Sequence, residues 1–145
     1  MATSGLVRVA TAYLAAHPSG LRVLPTAVSS SEAAALVDEV ATLLRRMRYA
    51  PAHFDNAIEG YRELRRREWR AHNREVLDRL GGMANAARSW QAAPVEFSSE
   101  VHVLDLAPEG AILPHVDSER FVGPVIAGLS LLSPALMRFE HKDDP

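Results

Sequence analysis

The sequence predicts an α+β fold in which helices in the first half of the chain pack on strands in the second half. Two stretches, residues 29–47 and 62–80, place apolar residues at helical spacing. From residue 98 onward the pattern changes to short apolar runs separated by Gly and Pro, which is typical of strands. Helices followed by a run of strands indicate an α+β domain.

The composition excludes several classes of protein. The 145 residues suffice for one domain with a core, and the formal net charge of −2 does not indicate a general nucleic-acid binder. The absence of cysteine excludes disulfide scaffolds and thiolate metal sites, and it fits a reducing interior or an organelle matrix. No apolar run reaches the roughly 18 residues that a membrane span requires, so no transmembrane segment is predicted.

Residues 1–31 have the composition of a mitochondrial transit peptide. They contain two arginines and no acidic residue, and they are rich in Ala, Ser and Thr. A disordered or locally helical N-terminus in an alanine-rich proteome explains the same composition, and the residues alone leave both interpretations open. The predicted folded domain covers residues 32–145.

The first helix is predicted from a capping box, Ser29-x-x-Glu32, followed by an apolar face. That face consists of Leu36, Val37, Val40, Leu43, Leu44 and Met47. Its apolar stripe is expected to pack against the outside of a sheet. Arg45, Arg46 and Arg48 follow at the C-terminal end, where the helix dipole favours cations. Their expected role is structural, and binding of phosphate or an anionic lipid surface is the alternative.

Residues 51–60 predict a loop or a short pair of strands. His53 and Asp55 have the spacing of metal ligands, but no strand and turn frame them, so they are interpreted as a structural or substrate-side feature.

Residues 62–80 predict a second helix that Gly81 and Gly82 end as C-cap glycines. Residues 45–79 contain ten arginines against six acidic residues. The arginines of the helix predicted at residues 62–80 form a solvated face or, alternatively, guide an anionic substrate such as tRNA. Residues 83–97 are expected to form a less regular connector in which Trp90 packs rather than binds a base.

Residues 98–141 are the part of the chain most suited to chemistry. Residues 101–106 predict a strand, residues 108–110 a tight turn, and residues 111–113 a strand that delivers His115 and Asp117 at its end. Further strands are predicted at residues 125–132 and 136–140.

Side chains two residues apart on a strand point to the same side, so an imidazole and a carboxylate at that spacing can bind one ion. With a second His supplied from elsewhere they would form the facial triad of a non-haem iron(II) site. A hydrogen-bonded pair at the end of a strand is the alternative interpretation of His115 and Asp117.

This segment resembles the AlkB-type 2-oxoglutarate and iron(II)-dependent dioxygenases, and within them the mitochondrial subgroup. The resemblance rests on LDLAPEGAILPHVD at residues 104–117 and IAGLSLLSP at residues 126–134, and it covers roughly residues 22–145. Residues that fall in a family-like order upstream are Tyr49, His53, Asp55, Ala57, Ile58, Gly60, Arg62, Glu63, Trp69 and Arg74.

The resemblance implies a jelly-roll (double-stranded β-helix) core with helices packed on it, incomplete at its C-terminus, so that residues 32–145 are a partial dioxygenase domain. It also implies Fe(II) held by His115 and Asp117, with 2-oxoglutarate as cosubstrate. In the family pattern the second His ligand and the arginines that bind the cosubstrate lie beyond Pro145. His141 matches a position that is not a ligand and is interpreted as a surface or strand-end residue.

Other positions refine the resemblance. Leu104 and Leu106 stand where the bacterial enzymes have Asn and Tyr that contact the cosubstrate, and the mitochondrial subgroup shares the apolar residues. Glu119 and Arg120 are expected near the mouth of the site, either touching substrate or forming an ordinary charged turn.

The function implied by the resemblance is that of a dioxygenase of the mitochondrial matrix acting on a protein or tRNA substrate. The family links are programmed necrosis, fatty-acid metabolism and tRNA demethylation. The alternative function is that of a catalytically inactive truncated isoform or regulatory binding protein. The resemblance also favours targeting as the role of residues 1–31.

Overall fold

The computed structural model describes residues 20–87, 93–118, 120 and 122–140. Its elements are α1 (Ser30–Leu44), β1 (Ala50–Ala52), β2 (Ile58–Arg66), α2 (Ala71–Ala86) and β3 (Val101–Ile112). The strands form an antiparallel sheet in the order β1-β2-β3. The predicted α+β class is confirmed, whereas the three strands of the described residues do not form a jelly roll.

Helix α1 begins at the predicted capping box. The Glu32 N–H donates to Ser29 Oγ at 3.2 Å, and the Ser29 N–H donates to Glu32 Oε2 at 2.7 Å. Two orphan N–H groups of the first turn are thereby satisfied. The helix buries Leu36, Val40 and Leu44, as the periodicity predicts. Leu43 and Met47, which were predicted to share this face, lie exposed.

The predicted helix at residues 62–80 is wrong in its first part. Strand β2 runs to Arg66, and α2 starts only at Ala71. The run of Arg and Glu has good local helix propensity, but pairing with β3 overrides it. In the strand, Arg62 lies opposite Asp105 and donates from Nε to its carboxylate at 2.7 Å. The partners of this ion pair are 43 residues apart in the sequence, so the pattern of residues 62–80 alone could not reveal it.

The glycine pair at residues 81–82 does not end α2, which continues to Ala86. Gly81 serves packing instead, because a Cβ at this position would lie 3.2 Å from the ring of Phe97. The predicted connector therefore starts later than expected, and Trp90 lies outside the described residues.

Strand β3 is continuous through the segment predicted as a turn. Tyr61 pairs with Leu106 and Glu59 with Ala111, so Gly60 alone faces residues 107–110. This irregularity is a β-bulge, which bends the strand. Gly60 adopts a φ of 58°, and its carbonyl lies so close to Gly110 that a side chain at Gly110 would collide with it. The two glycines therefore shape the sheet just before His115.

The strands predicted at residues 125–132 and 136–140 are wrong for this structure, because the described residues from 122 onward contain no strand. A strand requires a neighbouring strand with which its backbone N–H and C=O groups form hydrogen bonds. This segment contacts the rest of the protein through side chains instead. Leu129 and Leu131 pack against the core, while Ile126 and Leu136 are exposed.

The core lies between the two helices. Val28, which precedes α1, also contributes to it. Its buried members are Val28, Ala33, Leu36 and Val76, with Trp69, Leu77, Leu80, Leu129 and Leu131 packed around them. The side chain of Glu39 joins α1 to β2 and α2 beside this core, because it accepts hydrogen bonds from Arg66, Arg70 and Asn73. These contacts fix the helices on one face of the sheet.

Candidate metal centre

The end of β3 positions the predicted ligand pair. The Leu113 N–H still donates to the Ala57 carbonyl at 2.8 Å, which extends the pairing one residue past the strand. Pro114 has no N–H and cannot continue the ladder, so the chain leaves the sheet there. His115 and Asp117 follow at once, outside the strand rather than within it.

The two side chains meet as the spacing predicts. His115 Nε2 lies 3.3 Å from Asp117 Oδ1. His115 Nδ1 lies 2.7 Å from the Leu113 carbonyl oxygen, a partner that only accepts, so Nδ1 is the nitrogen that donates. In the neutral ring, Nε2 then carries its lone pair towards the carboxylate.

This arrangement fits a metal ion. Two lone pairs that face each other repel unless a proton or a cation lies between them, and imidazole and carboxylate together suit ferrous iron. A hydrogen bond from Nδ1 to a backbone carbonyl is the usual outer support of a metal-binding His. The side chains are 36% and 50% exposed, so an ion can reach both. Within the described ranges no group of three His, Cys, Asp or Glu residues is placed to hold a metal.

The second pair with the same spacing is built differently. His53 Nδ1 lies 2.7 Å from Asp55 Oδ1, and the same oxygen accepts from the Ala57 N–H at 2.9 Å. The Ala57 N–H and the His53 side chain hold the pKa of Asp55 below its usual range. The His53 ring contacts Phe54 and Tyr61 at centroid distances of 4.2 and 5.8 Å. The pair therefore closes the β1–β2 hairpin, in agreement with its structural interpretation.

The structure describes some of the other residues that the sequence analysis discussed. Leu104 and Leu106 are half-buried on β3, and Arg120 is exposed. Glu119 and His141 lie outside the described residues.

A contact that the sequence analysis missed joins the two long strands. His102 Nε2 lies 2.5 Å from Glu63 Oε2. Strand alternation puts this pair on the opposite sheet face from Arg66, which contacts the helices. Only the register of β2 against β3 reveals it, so no local sequence signal could have found it.

The arginines predicted to form a solvated or substrate-guiding face are largely engaged within the chain. Six carboxylates bind them, in the pairs Arg62–Asp105, Arg66–Glu39, Arg67–Glu100, Arg70–Asp38, Arg74–Asp78 and Arg79–Glu32. Their positive charge is therefore matched locally, which favours a structural role over attraction of an anionic substrate.

Comparisons with known proteins indicate which family the chain resembles. No family model matches the chain. It is similar to the alpha-ketoglutarate-dependent dioxygenase alkB homolog 7, mitochondrial, of Bos taurus, with 45% identity over 123 residues that cover 85% of this chain. The protein of the same name from Mus musculus is 42% identical over the same share.

These matches confirm the resemblance to AlkB-type dioxygenases. Within that family, the chain matches the alkB homolog 7 subgroup, and the mitochondrial location in both names confirms the predicted location. The chain spans about half the length of these relatives, 53% in each case. No helix among the described residues is long and apolar enough to cross a bilayer.

Proposed function

We propose that the chain provides the His-x-Asp half of an iron(II) centre in a 2-oxoglutarate-dependent dioxygenase of mitochondria. The observation that carries this proposal is the 3.3 Å approach of His115 Nε2 to Asp117 Oδ1, with Nδ1 held by the Leu113 carbonyl. The names of both relatives, alpha-ketoglutarate-dependent dioxygenases, support the same chemistry.

Each residue of the centre has a stated role. His115 presents a neutral imidazole nitrogen, since the Leu113 carbonyl keeps the proton on Nδ1. Asp117 adds a negative charge that offsets part of the charge of a divalent cation. Leu104 and Leu106, half-buried on β3, stand where the resemblance places polar cosubstrate contacts in the bacterial enzymes, so they would offer the cosubstrate apolar side chains only. Iron(II), when bound, would activate dioxygen, of which one oxygen atom would enter succinate as 2-oxoglutarate loses CO₂ and the other would enter the substrate.

The proposal includes the wider organisation of the protein. Residues 1–31 direct it to mitochondria, and residues 32–145 are part of a jelly-roll dioxygenase domain. Links to programmed necrosis and fatty-acid metabolism rest on the resemblance alone. The local pairing of the arginines removes one argument for a tRNA substrate.

The test is succinate release by a chimera in which the matched segment of the Bos taurus relative is replaced by that of this chain. The protein is loaded with Fe(II) without oxygen and then exposed to air with 2-oxoglutarate. We expect turnover that disappears in His115→Ala and Asp117→Ala. His53→Ala is the matched control from the other His-x-Asp pair and should keep turnover. Full activity in either site variant would refute the assignment.

A non-catalytic binding role is the second candidate, and one observation favours it. Large apolar side chains are exposed beside the site and beyond it, among them Val116 at 74% and Leu136 at 99%. Such side chains mark contact surfaces when they lie together. Absence of turnover in the chimera, with iron still bound, would favour this role.

A further inference from the structure

The end of α1 exposes cations and apolar side chains side by side. Arg45, Arg46 and Arg48 are all exposed, and Leu43 and Met47 are exposed to 39% and 40%. We call residues 43–49 the basic-apolar turn. Leu44 anchors it, since this side chain is buried in the protein.

The three arginines differ from the arginines of β2 and α2, each of which pairs with a carboxylate. Across the described ranges no ion pair involves Arg45, Arg46 or Arg48, and Arg45 donates only to Thr42 Oγ1 at 3.2 Å. The first and last of them are three residues apart, so their Cα atoms lie within about 11 Å. Three uncompensated charges in so small an area attract a polyanion.

The acidic groups that act on Tyr49 do not cancel this charge. Asp105 is bound by Arg62, and Glu109 lies on the bulge of β3. Desolvation, with Asp105 and Glu109 adding to it, raises the pKa of the Tyr49 hydroxyl, which places both acids at the sheet side of the basic-apolar turn.

The apolar members indicate which polyanion fits. Nucleic-acid binders combine cations with aromatic rings on which bases stack. Here the Arg62 guanidinium lies over one face of the Tyr49 ring, 4.5 Å from its centroid, and the Tyr49 hydroxyl donates to Asp105 at 3.2 Å. The free apolar groups are the aliphatic side chains of Leu43 and Met47. Aliphatic groups beside arginines suit the headgroup region of an anionic bilayer.

We propose that the basic-apolar turn binds an anionic membrane surface. The three guanidinium groups contact lipid phosphates, while Leu43 and Met47 enter the boundary between headgroups and acyl chains. This contact places the protein on a membrane peripherally and is independent of the iron centre.

The experiment is cosedimentation of the 145-residue chain with vesicles of equimolar phosphatidylcholine and phosphatidylglycerol, compared with vesicles of phosphatidylcholine alone. We expect binding to the anionic vesicles only. Each arginine near a charged surface contributes about fivefold to partition, so R45Q/R46Q/R48Q should lose about a hundredfold and each single variant about fivefold.

The matched control is R65Q/R67Q/R70Q. It removes the same charge from exposed arginines that already have carboxylate partners. Its loss of binding should be well below that of the first triple variant. Met47→Gln keeps the size of the side chain and should cause a smaller loss that added salt does not change. Circular dichroism establishes that the variants are folded.

Three results would overturn the proposal. The first is absence of preference for anionic vesicles in the wild-type chain, and the second is an equal loss in the two triple variants. The third is a triple variant that loses binding to an RNA hairpin while its vesicle binding is unchanged. His115→Ala should keep full vesicle binding, so failure of the iron proposal is distinguished from failure of this one.

Discussion

Replacement of Glu39 by Gln should destabilise the protein more than any neutralisation of an exposed carboxylate. The Glu39 side chain is 3% exposed and accepts from Arg66 Nη2 at 3.0 Å, from the Arg70 N–H at 2.8 Å and from Asn73 Nδ2 at 2.6 Å. Gln offers one acceptor oxygen and turns an amide donor towards the remaining donors. The positive charge of Arg66 would then lie partly buried without its counterion.

The expected magnitude follows from that charge. Removing one partner of a buried ion pair costs about 3–5 kcal/mol, and the lower end applies here because Arg66 is 27% exposed. We therefore expect a loss of about 3 kcal/mol in the free energy of unfolding. Urea unfolding measures it, followed by circular dichroism and by the fluorescence of Trp69, whose ring lies 5.4 Å from the Arg66 guanidinium.

Asp38→Asn is the control on the same helix. Asp38 is 74% exposed and, among the residues that the structure describes, pairs only with Arg70 at 3.0 Å, so its neutralisation should change stability little. A loss below about 1 kcal/mol in Glu39→Gln, or an equal loss in Asp38→Asn, would show that the buried carboxylate does not hold the helices on the sheet.

Two further predictions concern stability. Gly110→Ala should cost about 1–3 kcal/mol, because the new Cβ would collide with the Gly60 carbonyl, whereas Gly82→Ala, in a helix interior with open space, should stabilise by about 1 kcal/mol. Thermal melts with opposite shifts test the pair, and shifts of the same sign would contradict it. Stability should also fall in acid. The Arg79 guanidinium and the Ser29 N–H lower the pKa of Glu32 to about 2, and for Glu39 hydrogen bonds from Asn73 and Arg70 outweigh the opposing effect of burial and lower the pKa. Both carboxylates therefore stabilise the fold fully above pH 4.5. The contribution of Glu32 is lost as the pH falls towards about 2, and that of Glu39 is lost as the pH falls through its lowered pKa. A urea midpoint that stays constant across this window would contradict the prediction.

The elements that the sequence predicts well are those specified by neighbouring residues. The capping box and the periodicity of α1 act within four residues, so Ser29 and Glu32 locate the start of the helix from sequence alone. The contact between His115 and Asp117 is also local, since a spacing of two residues brings the side chains together in extended backbone.

The elements that the sequence mispredicts depend on distant partners. Arg62 and Arg66 belong to a locally helical pattern, but Asp105 and Glu39 bind them from other elements and keep β2 extended. The turn expected at residues 108–110 becomes a bulge because Gly60 lies opposite it. The pattern within each segment contains no information on these pairings.

The most direct test of the iron centre compares the two His-x-Asp pairs in one sample. Long-range proton–nitrogen spectra of the histidine rings, recorded without oxygen while Fe(II) is added, report each ring nitrogen separately. Our account predicts a His115 ring whose Nδ1 carries a proton and whose Nε2 signal broadens first, while the signals of His53 persist. His115→Ala identifies the signal. Equal broadening of both histidines, or a His115 signal that iron leaves unchanged, would contradict the assignment of His115 and Asp117 as ligands.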